Sequence, residues 1–136
     1  MTTKRRAILY VDDDTDDQFL VIETLSLLAP TAQVVVAGNG VETLAYLNSL
    51  EDKALPCLII MDINMPLLNG KETVTRIRQQ ARFDAIPIVL FTTSASLLDK
   101  QFCDKHQVPF ITKPVTGKDM QAVVEDMLLL AATYDS

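Results

Sequence analysis

No apolar stretch of the chain approaches the roughly 20 consecutive residues that a helix needs to cross a bilayer. Lys4, Arg5 and Arg6 make the start of the chain basic, but the apolar run behind them ends at Asp12, too short for a signal peptide. A cytoplasmic protein without membrane insertion is therefore expected. Positive charge is scarce: 12 Lys and Arg stand against 18 Asp and Glu, for a net charge of −6. Nucleic-acid binders draw much of their affinity from a basic stripe that neutralises phosphates. The nearest approach to one is Lys71, Arg76, Arg78 and Arg82 on one expected helix, which reads as a solvated face. No direct contact with nucleic acid is expected. The two cysteines, Cys57 and Cys103, read as reduced, partly buried thiols. The single histidine, His106, has no second His or Cys at metal-ligand spacing, which argues against a zinc site. Its expected place at a helix C-terminus suits an imidazolium instead.

What the chain does contain is regular. Its 136 residues are 49% apolar and 22% charged, which fits one globular domain, residues 1–136, with its core at about 6–132. Apolar runs at 8–11, 34–37, 57–61, 86–91 and 108–111 read as strands. Between and after them, segments of helical period at 14–28, 41–50, 70–81, 97–105 and 116–132 read as helices. The strand runs are continuous rather than alternating, as in a parallel sheet buried on both faces. Five such units predict an α/β fold: a doubly wound five-stranded parallel sheet in the order 2-1-3-4-5, with helices on both faces. Ligands of such sheets sit beyond the carboxyl ends of the strands, at the switch point between strands one and three.

Those strand ends carry the polar chemistry. The first runs into Asp12-Asp13-Asp14, the third into Asp62, the fourth into Thr92-Thr93-Ser94 and the fifth into Thr112-Lys113-Pro114. Carboxylates converging from adjacent strands repel, so either raised pKa values or a hard divalent cation must offset them. Mg²⁺ (or Mn²⁺) suits the second option, through carboxylate oxygens and water. A metal-bound carboxylate beside a lysine and a hydroxyl makes a phosphoryl-transfer site, where catalysis is mostly positioning and charge stabilisation. Asp62 would attack phosphorus. Lys113 would neutralise one phosphoryl oxygen, Thr92 would donate to a second, and the metal would take a third. Asp14 reads as the N-cap of the first helix. Asp16 and Asp17 read as first-turn acids that complement its dipole.

Taken in order, Asp12-Asp13, Met61-Asp62-Ile63-Asn64-Met65-Pro66 with Gly70, Thr92-Thr93-Ser94 and Lys113-Pro114 resemble the response-regulator receiver family of two-component signalling. The likeness runs from about Arg6 to Ala132 and implies a flavodoxin-like fold. It also implies that Asp62 is the phosphoacceptor, receiving its group from a histidine kinase or histidine phosphotransfer protein. Asp13 is then a direct metal ligand, Asp12 a helper through water, and the Asn64 backbone carbonyl a further ligand. Thr92 and Lys113 hold the phosphoryl oxygens, and a cis Lys113–Pro114 peptide is implied. Two positions depart from the common pattern. Thr93 stands where Ala is frequent and crowds the pocket. Phe110 stands where Tyr is frequent, so coupling between Thr92 and that ring must be steric.

The resemblance further implies output to a downstream protein, or a homodimer, through the fourth helix, fifth strand and fifth helix. Met120, Val124, Met127, Leu128 and Ala131 share the inward stripe of that last helix, with Leu129 opposite as the candidate contact. The chain would act on no substrate beyond its own phosphorylation and dephosphorylation. One alternative is a pseudo-receiver serving as a constitutive binding module, but such domains lose an acid or the lysine, and all are present here. A haloacid-dehalogenase-type phosphatase would need an acid where Val11 stands.

Overall fold

A computed structural model of the chain describes residues 6–93 and 96–135. Among them, β1 (Ala7–Val11), β2 (Gln33–Ala37), β3 (Leu58–Met61), β4 (Ile88–Thr92) and β5 (Phe110–Thr112) form one parallel sheet in the order 2-1-3-4-5. The helices are α1 (Thr15–Leu28), α2 (Gly40–Ser49), α3 (Gly70–Arg78), α4 (Leu97–His106) and α5 (Gly117–Asp135). No helix among the described residues is long and apolar enough to cross a membrane. Ser94 of the expected turn after β4, and Lys4 and Arg5 near the start, lie outside the described residues.

The continuous apolar strands have a direct explanation in the packing. Side chains alternate between faces, and both faces are covered. Ile8, Tyr10, Leu58, Ile60, Val89 and Phe91 join one cluster with Val21, Leu25, Met120, Val124 and Met127, under α1 and α5. Leu9, Val11, Ile59, Met61, Ile88 and Leu90 join another with Leu47, Val74, Ile77 and Cys103, under α2, α3 and α4. Each fully buried Ile, Leu or Phe contributes about 1.5–3 kcal/mol, so both faces are needed.

Several element ends differ from expectation, each for a local reason. The third helix stops at Arg78 rather than continuing to residue 81. The Arg78 guanidinium donates to the carbonyls of Phe83 (2.8 Å) and Ile86 (2.9 Å), which staples a 3₁₀ turn at Ala81–Phe83 and seats Phe83 in the core. Pro87 and Pro109 lack the N–H a ladder needs, so β4 and β5 start after them. Gln107 ends α4 in the left-handed region at φ 55°, while the Val108 amide donates to Cys103 O. The expected basic face is solvated only in part: Arg76 and Arg82 are exposed, while Lys71 and Arg78 are half-buried. Besides Arg78, Lys71 pairs with Asp99 of α4 at 2.7 Å, and Arg82 pairs with Asp52 at 2.9 Å and donates to Leu50 O.

The loop from β3 to α3 is tight against the strand end. A Cβ on Gly70 would stand 2.3 Å from Asp62 O and 2.9 Å from Ile63 Cα, so only glycine fits. Asn69 caps α3 in a full capping box with Glu72. Leu67 is 81% exposed with φ 67°, a conformation disfavoured for side chains with a Cβ. Gly70→Ala should therefore lower stability by about 1–3 kcal/mol through overpacking. Leu67→Gly should raise it by about 0.5–1 kcal/mol by relieving the left-handed strain. Urea unfolding of both variants beside the wild type checks the opposite signs.

Candidate functional site

Sheet hydrogen bonding continues one residue beyond three strands. The Asp12 amide donates to Ala37 O (3.0 Å), the Asp62 amide to Val11 O (2.9 Å) and the Lys113 amide to Thr92 O (2.6 Å). The sheet thus holds the backbone of all three residues while their side chains leave its carboxyl edge. There they meet. Lys113 Nζ lies 2.6 Å from Asp12 Oδ2, 2.9 Å from Asp17 Oδ2 and 3.4 Å from Asp62 Oδ2. It also stands 5.8 Å from the centre of the Phe91 ring. Asp12 is fully buried, and Asp62 and Lys113 are each 8% exposed.

Burial shapes the charges. It pushes the Asp62 carboxyl above the ordinary carboxylate range; Lys113 pulls it back and the Asp12 charge adds to the rise. Burial works against the Lys113 ammonium, but hydrogen bonds to Asp12 and Asp17 and the charge of Asp62 outweigh it and raise its pKa. Tyr10 rises as well, through burial and its hydrogen bond to Asp12.

Asp12 is the most tightly held acid. Its Oδ2 accepts from the Tyr10 hydroxyl at 2.6 Å as well as from Lys113, and its Oδ1 accepts from the Asp14 amide at 3.0 Å. Asp13 is exposed at the rim. One carboxylate oxygen each from Asp12, Asp13 and Asp62 lie within 4.8 Å of one another. That all-oxygen donor set fits a hard divalent cation. Asn64 is exposed beside them, and its amide donates to Asp62 Oδ1 at 3.4 Å. An open cavity of about 520 Å³ lies over the cluster, lined by Asp13, Asp17, Asp62, Thr93 and Lys113 among others. A larger one, about 910 Å³, lies at the opposite edge of the sheet around Arg6, Tyr46 and Pro87, away from this cluster.

The expected residues do converge, with corrections. Thr92 is fully buried at the end of β4, and the exposed neighbour Thr93 is the one that lines the cavity. Phe110 pairs with Leu90 across β4 and β5 and packs half-buried on the α2–α3–α4 side, the sheet face that Leu90 and Thr92 share. The Lys113–Pro114 peptide is trans, not cis. Trans is the lower-energy form of X–Pro by about 0.5–1 kcal/mol, and in it Lys113 reaches all three carboxylates. Asp14 caps α1 as expected, accepting from the amides of Asp16 and Asp17. Asp17, however, does more than complement the dipole, since its carboxylate binds Lys113. Tyr10 joins the site beyond the residues expected, and its signal in the sequence is a hydroxyl inside an otherwise aliphatic strand, two residues before Asp12 and so on the same face.

Comparison with known proteins identifies the family and the fold. Residues 8–125 match the response regulator receiver domain family. A chemotaxis protein CheY homolog from Campylobacter jejuni is 31% identical over 122 residues, 89% of this chain and 91% of the relative. The crystal structure of the phosphorylated cyanobacterial phytochrome response regulator RcpA superposes with a TM-score of 0.80 at 27% identity, covering 92% of this chain and 95% of that one. The Mn²⁺-bound form of response regulator Rcp1 superposes with a TM-score of 0.78 at 28% identity, covering 89% of this chain and 90% of that one. With its sheet order, its acid–lysine cluster and these relatives in agreement, the chain belongs to the response regulator receiver family, whose general mechanism is phosphorylation on an aspartate.

Proposed function

We propose that Asp62 is the phosphoacceptor of a signalling switch charged by a histidine kinase or histidine phosphotransfer protein. The observation that carries this reading is the single ammonium of Lys113 bridging Asp62 and Asp12 at the mouth of an open acidic cavity. An Asp62 carboxylate oxygen attacks the phosphorus of a phosphohistidine. The P–N bond breaks, its electron pair stays on the imidazole nitrogen, which takes up a proton, and an acyl phosphate forms on Asp62. Lys113 donates to one phosphoryl oxygen, and the Thr92 hydroxyl, buried at the end of β4 in the unmodified chain, turns toward the cavity to donate to another. Asp12, Asp13 and Asp62, with the Asn64 carbonyl, are the residues that would hold Mg²⁺ or Mn²⁺. When bound, the ion offsets carboxylate repulsion and neutralises charge on the transferring group. Hydrolysis of the acyl phosphate restores the carboxylate, so the chain processes only its own modification.

The output surface of this reading is made by α4, β5 and α5, where Phe110 stands half-buried. A downstream protein or a second copy of the chain docks there in one of two states of differing affinity. Leu129 is 65% exposed but lines a groove with Leu28 and Leu128 on the α1 flank. At 100° per residue the opposite flank of α5 carries Val123, Asp126 and Leu130, so Asp126 is the better probe of the proposed face.

Incubation with a small acyl-phosphate donor and Mg²⁺ should add one phosphoryl group, and Asp62→Asn or a chelator should prevent it. Mass spectrometry that finds full labelling of Asp62→Asn would remove the proposal. Lys113→Ala leaves buried carboxylates without their counter-ion, and should lower stability by about 3 kcal/mol in metal-free buffer. Added Mg²⁺ should recover part of that loss in thermal melts. In sedimentation experiments with a phosphoryl mimic, Asp126→Arg should change self-association or partner binding while Leu129→Glu leaves it near wild type. The reverse ranking would move the output surface to the α1 flank.

A further inference from the structure

Of the three carboxylates on Lys113, two sit at strand ends and one, Asp17, belongs to the first turn of α1. Resting on the reading of Asp62 as phosphoacceptor, we infer that Asp17 is a positioning residue of the switch: it holds the Lys113 ammonium while Asp62 is unmodified and competes for it with the phosphoryl group.

An ammonium has three N–H donors, and here all are committed, to Asp12 at 2.6 Å, Asp17 at 2.9 Å and Asp62 at 3.4 Å. A phosphoryl group on Asp62 extends beyond the present carboxylate oxygens, so Lys113 must redirect at least one donor outward to meet it. The bond to Asp62 is the longest, and its donor passes to the phosphoryl group with that residue; reaching outward along the group then draws the ammonium off one of the other two acids, which differ in what surrounds them. Asp12 has no access to water and is fixed from other sides by the Tyr10 hydroxyl and the Asp14 amide. The Asp17 side chain is 31% exposed, so water can replace the ammonium when it leaves. Asp17 is therefore the partner that yields on phosphorylation. Until then it holds Lys113 toward α1, away from the full phosphoryl position, and raises the free energy of the phosphorylated form. Release of the ammonium removes one of the ties between α1 and the strand ends, while Gln18 Nε2 still donates to Asp12 O at 2.6 Å.

The test uses beryllium fluoride with Mg²⁺ as a phosphoryl mimic, with binding measured by calorimetry. Asp17→Asn should tighten binding about tenfold, a coupling typical of groups that share one partner. Asp16→Asn removes the same charge from the same turn, and Asp16 is exposed, with its amide on Asp14. It should change binding by less than about twofold, as expected for an exposed charge. In a Lys113→Ala background the Asp17→Asn effect should vanish, because Asp17 acts through Lys113. Asp17→Glu, which keeps the charge, should restore most of the wild-type affinity. In metal-free protein, ¹⁵N NMR of the Lys113 ammonium should show faster hydrogen exchange in Asp17→Asn and not in Asp16→Asn. Equal effects of Asp17→Asn and Asp16→Asn, or a tightening that persists without Lys113, overturn the inference while leaving the phosphoacceptor reading intact. If the wild type fails to bind the mimic, or Asp62→Asn binds it equally well, the phosphoacceptor reading itself is lost and the role of Asp17 goes with it.

Discussion

One ammonium among three carboxylates is the constraint on which the site depends. Lys113 and Asp12 have almost no access to water, and neither charge would be tolerated there alone. Together they are stable because each supplies what the other lost on leaving solvent. The neutralisation is incomplete, however. Asp12, Asp17 and Asp62 share one positive charge, and Asp13 adds another acid at the rim. A residual negative potential therefore faces the cavity, which suits a divalent cation and resists an approaching phosphoryl group until one is bound.

The sheet makes that arrangement reproducible. Because the hydrogen-bond ladder runs on into Asp12, Asp62 and Lys113, these backbones are fixed to strands whose side chains are locked in two dry cores. Precision at the edge comes from order in the middle. The loops can then vary: Leu67 tolerates a left-handed backbone and Thr93 stands in the open. Gly70 is the exception, since its lack of a side chain lets α3 begin against the Asp62 carbonyl.

Much of this was legible in the residues. Continuous apolar runs separated by helical segments carried the parallel sheet, because burial on both faces leaves no polar alternation to misread, and the family resemblance supported its order. Asp12, Asp13, Asp62, Thr92 and Lys113 were readable for the same reason, each being polar at the end of an apolar run. What escaped were features set by partners outside a residue's own element. The Arg78 staple depends on the carbonyls of Phe83 and Ile86 just past its helix, and the Arg82 staple on Asp52 and the Leu50 carbonyl. The Asp17 contact depends on how α1 is seated, since α1 contributes Asp17 while Lys113 is 96 residues away. Leu129 was placed on the outside by helical period, but period alone does not say which neighbouring helix flanks it.

The buried hydroxyl of Tyr10 has an optical consequence. With no tryptophan in the chain and only three tyrosines, near-ultraviolet absorption and emission belong to very few rings. One of them ends 2.6 Å from a carboxylate oxygen that it shares with Lys113. Phenol emission is quenched by a strong hydrogen bond to a carboxylate, and its absorption moves to longer wavelength. Any event that redistributes charge over Asp12 is therefore written into the spectrum of this ring, and the protein carries a native chromophore at the floor of its own acidic site.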